Sequence, residues 1–315
     1  MSAGTRVAAG RLRVDAARAV DKLRDYQLPD PTMWVLEVIR AAVLAGAERI
    51  AVTGDGDDVR VAWRGPPIPA ARVATLFDEL VDPAPKADHR HLRLLATGVN
   101  TALGMEPRWL DVISVGEDAQ RVRFTPGLLK VEEGVAEGLR RLTPEPTVPP
   151  PEALGPGVVV HLKRLPQWNA VPILIGIGEP AELAVARRCC DDLAVPIAVG
   201  GATLGRERSH RDLLRVSLGE GLDGFLAVLD PASARGPASL ELAELGVLLV
   251  RYTWPLTGFH PELTGLPLRL YLDANRLPTN ASRSAVRLTD PPVRDALERG
   301  RELLPAVVAR LASEL

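Results

Sequence analysis

Between Trp34 and Val43 the apolar residues Trp34, Val35, Val38, Ile39, Ala42 and Val43 recur at the spacing of one helical face. Asp30-Pro31 ahead of them reads as an N-cap with Pro in the first turn, and Gly46 behind them as a stop. That is a marked core helix. Residues 15–28 also read as helix, and PAARVATLFDELV and HRHLRLLATGVNTALG as two more amphipathic ones. The pattern shortens to strands in ERIAVT and VRVAW, joined by the turn GDGDD, and again in WLDVISV, QRVRF, LLKV and VVVHLKRL. TPEPTVPPPEALGPG, at 143–157, reads as an exposed proline-rich loop inside this block.

A boundary is expected near LPQWNAVP, dividing the chain into residues 1–165 and 166–315. The second block reads as helix ELAVARRCCDDL, strand PIAVGG, charged loop RERSHRD, strand GFLAVL, helix ASLELAEL, strands VLLVRYTW and PLRLYLD, loop RLPTNASRSAV and a final helix from Val293. Helices grouped early and strands late favour an α+β sandwich over alternating βαβ units.

Composition narrows the function classes. In 315 residues, 46% hydrophobic and 25% charged with a formal net charge of −2, no basic tract points to nucleic acid or an anionic membrane as partner. No apolar run reaches about 18 residues, and MSAGTRVAAGRLRVD lacks an apolar core of signal-peptide length, so a cytoplasmic protein is expected. Adjacent Cys189 and Cys190 build neither a disulfide framework nor a tetrahedral site, and read as buried thiols on a helix. Asp88, His89 and His91 lack a further ligand at metal spacing and read as a solvated helix start. Ser209, His210 and Asp212 lie too close along one loop for a triad. GDGDD lacks the spaced ligands of a calcium loop and remains a hairpin turn.

Four stretches in order, LEVIRAA, AWRGPPIP, LLATGVNTAL and LGPGVVVHLK, resemble the ATP-binding domain of the heat shock protein 90 family. That domain belongs to the GHKL superfamily, with gyrase, histidine kinases and mismatch-repair ATPases. LPTNASR resembles the L-P-x-N-x-S-R loop of the family's middle domain, with Arg283 as the arginine reaching the ATP γ-phosphate. The resemblance spans roughly residues 15–290. It implies a Bergerat-type sandwich of helices over a mixed sheet, followed by a middle-domain-like (S5-like) α/β domain. The family's dimerisation domain is expected to be absent, since little chain follows Asp290.

The motifs depart from the family pattern where the nucleotide would sit. Glu37 matches the carboxylate that activates water, but the magnesium-linked asparagine matches Ala41. The adenine-binding aspartate matches Trp63. Gly65 is kept and the following motif glycine matches Pro67; Gly98 is kept and the next glycine matches Asn100; the G-T threonine matches Pro156. A hydrogen bond to a charged acceptor contributes about 1.5 to 3 kcal/mol, so loss of the aspartate alone weakens binding roughly ten- to a hundredfold. Alanine offers Mg²⁺ no oxygen. Stacking of the Trp63 indole on a purine, worth roughly 1 to 3 kcal/mol, is the route left for holding a nucleotide.

The expectation is a degenerate relative of these chaperones that binds protein partners, with little or no ATP hydrolysis and no cofactor. The alternative is an ATP-dependent chaperone with ATP and Mg in an altered pocket, Glu37 as general base and Arg283 on the phosphates. Without substrate and water Glu37 is only a helix carboxylate, and Arg283 could equally tie the two domains by an ion pair. A gyrase-type or mismatch-repair-type ATPase shares the first domain but does not predict the SR loop, and the chain lacks a basic face for DNA. A monomer or weak homodimer is expected.

Overall fold

The computed structural model describes residues 16–26, 28, 30–82, 86–129, 142–165, 179–205, 212–232, 238–254, 266–280 and 285–314. Helix α1 (Ala16–Tyr26) precedes a 3-10 turn (Pro31–Met33) in which Asp30 Oδ1 accepts from Thr32 N at 2.9 Å. The turn leads into α2 (Trp34–Leu44). Its end is a Schellman motif: Gly46, at φ +81°, and Ala47 donate to the carbonyls of Val43 and Ala42, closing the helix as Gly46 foretells. Strands β1 (Arg49–Gly54) and β2 (Asp58–Arg64) form the expected hairpin.

PAARVATLFDELV is not one helix but two short ones, α3 (Ala70–Val73) and α4 (Asp78–Val81). The break leaves Leu76 and Phe77 buried between them, with Phe77 edge-on to Phe124 at 5.5 Å between ring centres. The long helix α5 (Arg90–Leu103) is followed by β3 (Trp109–Val115) and β4 (Ala119–Phe124). Of LLKV, Leu128 and Leu129 end a 3-10 turn, Pro126–Leu129, and Lys130 and Val131 lie outside the described residues. Pro cannot donate to a ladder, and Pro126 and Gly127 favour that turn. Within the proline-rich stretch β5 (Glu145–Pro146) pairs against Gln120 and Arg121.

Strand β6 (Gly157–Lys163) is followed by α6 (Ala181–Cys189), β7 (Ile197–Val199) and β8 (Ala202–Leu204). The eight-stranded first sheet has the order β5-β4-β3-β6-β2-β1-β7-β8, antiparallel except where β7 lies parallel to β1. It therefore continues beyond the boundary expected at 165/166. Helices α2, α5 and α6 share one core with it, built around Trp34, Ile39, Ile50, Trp63, Leu95, Val160 and Ala186.

The second sheet comprises β9 (Asp212–Ser217), β10 (Asp223–Leu229), β11 (Ser239–Glu244), β12 (Val247–Thr253) and β13 (Leu268–Ala274), in the order β12-β11-β13-β10-β9. β11 replaces the helix expected over ASLELAEL. Tertiary pairing with β12 and β13 overrides the helical preference of its Leu, Glu and Ala. Its two glutamates are buried, so the outward alternation that identifies a strand is missing. The long C-terminal helix α7 (Pro291–Glu314) covers one face, packing Val293, Ala296, Leu304 and Val307 on Leu226, Leu242, Leu270 and Leu272.

The other face carries Phe225 and Tyr271, stacked at 4.9 Å, and Arg269. Arg269 Nε donates to Glu241 Oε2 at 2.7 Å, and its guanidinium also pairs with Asp192 of the first unit. Burial pushes the Arg269 pKa down, but Glu241 and Asp192 outweigh it and hold the guanidinium above its ordinary value. The two units are thus joined through a buried ionic contact.

Asp273, on the same strand, stands opposite Asp223. Burial is the main force that lifts its pKa to about 6; Asp223 adds repulsion, and the backbone N–H groups of Gly246, Ala274 and Leu245 oppose it. The unfolded carboxyl ionises near pH 4, so the folded state holds its proton longer. Stability from this group is full below about pH 4 and is lost as pH rises through about 6, a loss on the order of 2 kcal/mol. Asp273→Asn is expected to raise Tm against the wild type at pH 7.5 and to leave it unchanged at pH 4. Circular dichroism melts at both values check this; equal gains at both would remove the titration as cause.

Among the described residues no helix is long and apolar enough to cross a membrane.

Candidate functional site

The residues matched to the nucleotide motifs fall into two groups. Glu37 and Ala41 lie one turn apart on α2, and Gly98 and Asn100 lie within α5, which packs directly on α2. Gly98 is in the interior of this helix. A Cβ there would stand 2.9 Å from Val38 Cγ2 and 3.0 Å from Trp34 O, so this glycine serves close helix packing. Asn100 is fully buried; its Nδ2 donates to Val20 O at 3.1 Å and its Oδ1 accepts from Arg24 Nε at 3.4 Å, holding α1 on α5.

Glu37 is 1% exposed and forms a 2.6 Å ion pair with Arg40 Nη1, itself 2% exposed. Ala41 is fully buried beside them. A general base needs a water and a substrate within hydrogen-bond reach. Here the carboxylate faces an internal guanidinium instead. Sequence reading missed Arg40, although the i, i+3 spacing of Glu37 and Arg40 was a signal that they meet.

The second group lies at the end of the β2–β6 pair. Trp63 is 1% exposed, registered between Ile50 and Val158, and belongs to the core of the first unit. Its Nε1 is buried and has no hydrogen-bond partner among the described residues. Gly65, at φ +149°, donates its N–H to Pro156 O at 2.9 Å, and a Cβ there would come within 2.9 Å of Gly46 O. Pro67 and Pro156 are exposed. Trp63, Gly65 and Pro156 are thus brought together as a strand-end junction.

A cleft of about 810 Å³ lies elsewhere, between the first half of α5 and residues 276–280. Leu277, Pro278, Thr279 and Asn280 of the LPTN stretch line it; Glu37, Ala41, Trp63 and Gly98 do not. Arg283 lies outside the described residues, as do Ser209 and His210. The loop's base is a small hairpin: Asn280 exchanges hydrogen bonds with Ala285, with Asn280 N donating to Ala285 O at 3.0 Å and Asn280 Oδ1 accepting from Ala285 N at 3.2 Å. Arg90 of α5 pairs across the cleft with Glu244 and the Asn275 carbonyl.

Asp55, Asp57 and Asp58 bring carboxylate oxygens within 4.8 Å of one another. Lys163 Nζ is 2.6 Å from both Asp57 and Asp58, and His161 also meets Asp58. Burial raises the Asp58 pKa, but the hydrogen bonds from Lys163 and His161 bring the net below the usual carboxylate value. Asp55 Oδ1 accepts from Asp57 N and Asp58 N at 3.2 and 3.0 Å, so this cluster is a turn. His89 and His91 flank the start of α5; His89 Nδ1 is 3.2 Å from Glu79 Oε1, and His91 Nδ1 bonds the Asp88 carbonyl. Burial raises the pKa of both Cys189 and Cys190, which keeps the thiols protonated and unreactive.

Two solved structures share this architecture. One is the N-terminal domain of a DNA repair protein, 12% identical at a TM-score of 0.50, with 94% of this chain and 98% of that one covered. The other is the B-subunit of the DNA gyrase from Myxococcus xanthus, 15% identical at a TM-score of 0.53, covering 93% and 99%. Both share with this chain the arrangement of helices over a mixed sheet, a Bergerat-type fold. No model of a protein family and no curated protein sequence matches the chain.

Proposed function

We propose that this chain is a Bergerat-fold module whose nucleotide position has become solid core, and that it works as a protein-binding or scaffold relative of the heat shock protein 90 chaperones with little or no ATP hydrolysis. The observation that carries this reading is the buried Glu37–Arg40 pair. The one retained carboxylate that would activate water is neutralised inside the protein. Trp63 in the core supports it, since a side chain that fills space cannot also stack on a ligand. The particular kinship with the chaperones rests on LPTNASR; the fold is shared more widely. The partner is a protein, neither nucleic acid nor membrane, and no cofactor is needed.

A second reading, an ATP-dependent chaperone using an altered pocket with Mg, is favoured by one observation: the LPTN stretch does line an open cleft. Titration of the pure protein with ATP at millimolar concentration, with and without Mg²⁺, separates the two. Tryptophan fluorescence and calorimetry are expected to show no saturable binding. Binding that strengthens with Mg²⁺ and disappears in Arg283→Ala would establish the second reading instead.

A further inference from the structure

The cleft between α5 and residues 276–280 has an unbalanced charge. Lys86, Arg90, Arg93, Arg276 and Arg287 line it against Glu244 and Asp290. Both carboxylates are engaged, Glu244 by Arg90 and Asp290 by Arg287 at 3.4 Å. Lys86, Arg93 and Arg276 remain exposed and without an ion-pair partner among the described residues. Leu94 and Leu277, both buried, and the half-buried Leu23 line the same cleft.

We infer that this cleft is the docking site for an extended acidic segment of a partner protein, its carboxylates on Lys86, Arg93 and Arg276 and its alternate apolar side chains on these leucines. The inference rests on the protein-binding reading above and supplies the chemistry of the partner. Geometry favours a peptide over a compact anion. Lys86 precedes the turn that opens α5 and Arg93 lies a turn inside it, a separation of roughly 10 Å along that wall. Carboxylates spread along a chain cover that span more fully than one compact anion. Carboxylates on alternate residues of an extended chain recur every ~7 Å, a spacing that does reach successive cations. Alternation also leaves every second side chain free of the cations, available to the leucines of the lining. Among the described residues no aromatic side chain lines the cleft to stack on a base.

The test uses a fluorescein-labelled peptide of alternating glutamate and leucine, read by anisotropy against the full chain. A glutamine-for-glutamate version, ATP and inorganic phosphate serve as competitors. Saturable binding is expected, weakened by salt and by about tenfold or more in the Arg93→Glu/Arg276→Glu double variant. These exposed positions leave the cores untouched, which an unchanged melting curve checks. Equal binding of the glutamine peptide, equal binding by the double variant, or no binding at all would overturn the inference; so would displacement by ATP or phosphate at low concentration, which would assign the cleft to a small anion. Failure of the peptide leaves the Glu37–Arg40 reading standing. Magnesium-strengthened ATP binding that the double variant does not alter would defeat that reading without touching the cleft.

Discussion

Glu37→Ala is expected to lower folding stability by about 3 to 5 kcal/mol, the usual cost of stripping one partner from a buried ion pair. Arg40 is 2% exposed, and Glu37 is its one hydrogen-bond partner among the described residues. Its Nε already lacks a partner. Removing the carboxylate leaves a cation in the core with no other ion-pair partner among the described residues to offset its desolvation. Denaturant melts of Glu37→Ala, Arg40→Met and the double variant Glu37→Leu/Arg40→Met resolve the cause. The single variants should fall well below the wild type, whereas the double variant should recover most of the loss because two apolar chains of similar volume replace the pair. A general base in an open pocket behaves differently: its alanine variant melts like the wild type and loses only activity. Wild-type stability in Glu37→Ala would therefore remove the main support for a closed nucleotide position.

Trp63→Ala is expected to cost a further large amount, about 3 to 5 kcal/mol, and Trp63→Phe far less. The alanine variant deletes a whole indole from a packed core and leaves a cavity among Ile50, Val158 and their neighbours. The phenylalanine variant leaves a smaller gap and also removes the buried Nε1–H that has no acceptor among the described residues, a group whose burial carries its own penalty. The two melts side by side report whether Trp63 is a packing residue. If Trp63→Ala left stability unchanged, the indole would be lying in solvent-accessible space of the kind a ligand uses.

The elements of the first unit were largely legible because each had local chemistry of its own. Asp30-Pro31 and Gly46 bracket α2 with a cap and a Schellman motif, and GDGDD supplies the Asx turn of the β1–β2 hairpin. β11 was not legible. Its glutamates are buried by Arg269 and Arg90, partners far away in sequence, so LELAEL kept the helical look that local preference gives it. The same limit applied to the site. Motif comparison could align Glu37 and Trp63 with functional positions, but burial depends on what three-dimensional packing sets beside them. Arg40 and the α2–α5 contact at Gly98 determine that, and neither belongs to a motif. The cationic cleft was equally hidden, since Lys86, Arg93 and Arg276 come from two distant stretches and the chain as a whole is slightly acidic.

The parallel pairing of β7 on β1 sets an order of events during synthesis. Ile50, Ala51 and Val52 leave the ribosome long before Ile197, Ala198 and Val199, the residues that complete their ladder. Until then β1 presents unpaired N–H and C=O groups along a bare edge, the feature through which nascent chains pair with one another. Closure of so distant a contact is slow. A chain released early, before β7, carries that edge permanently, and the exposed template is where self-association of the fragment begins.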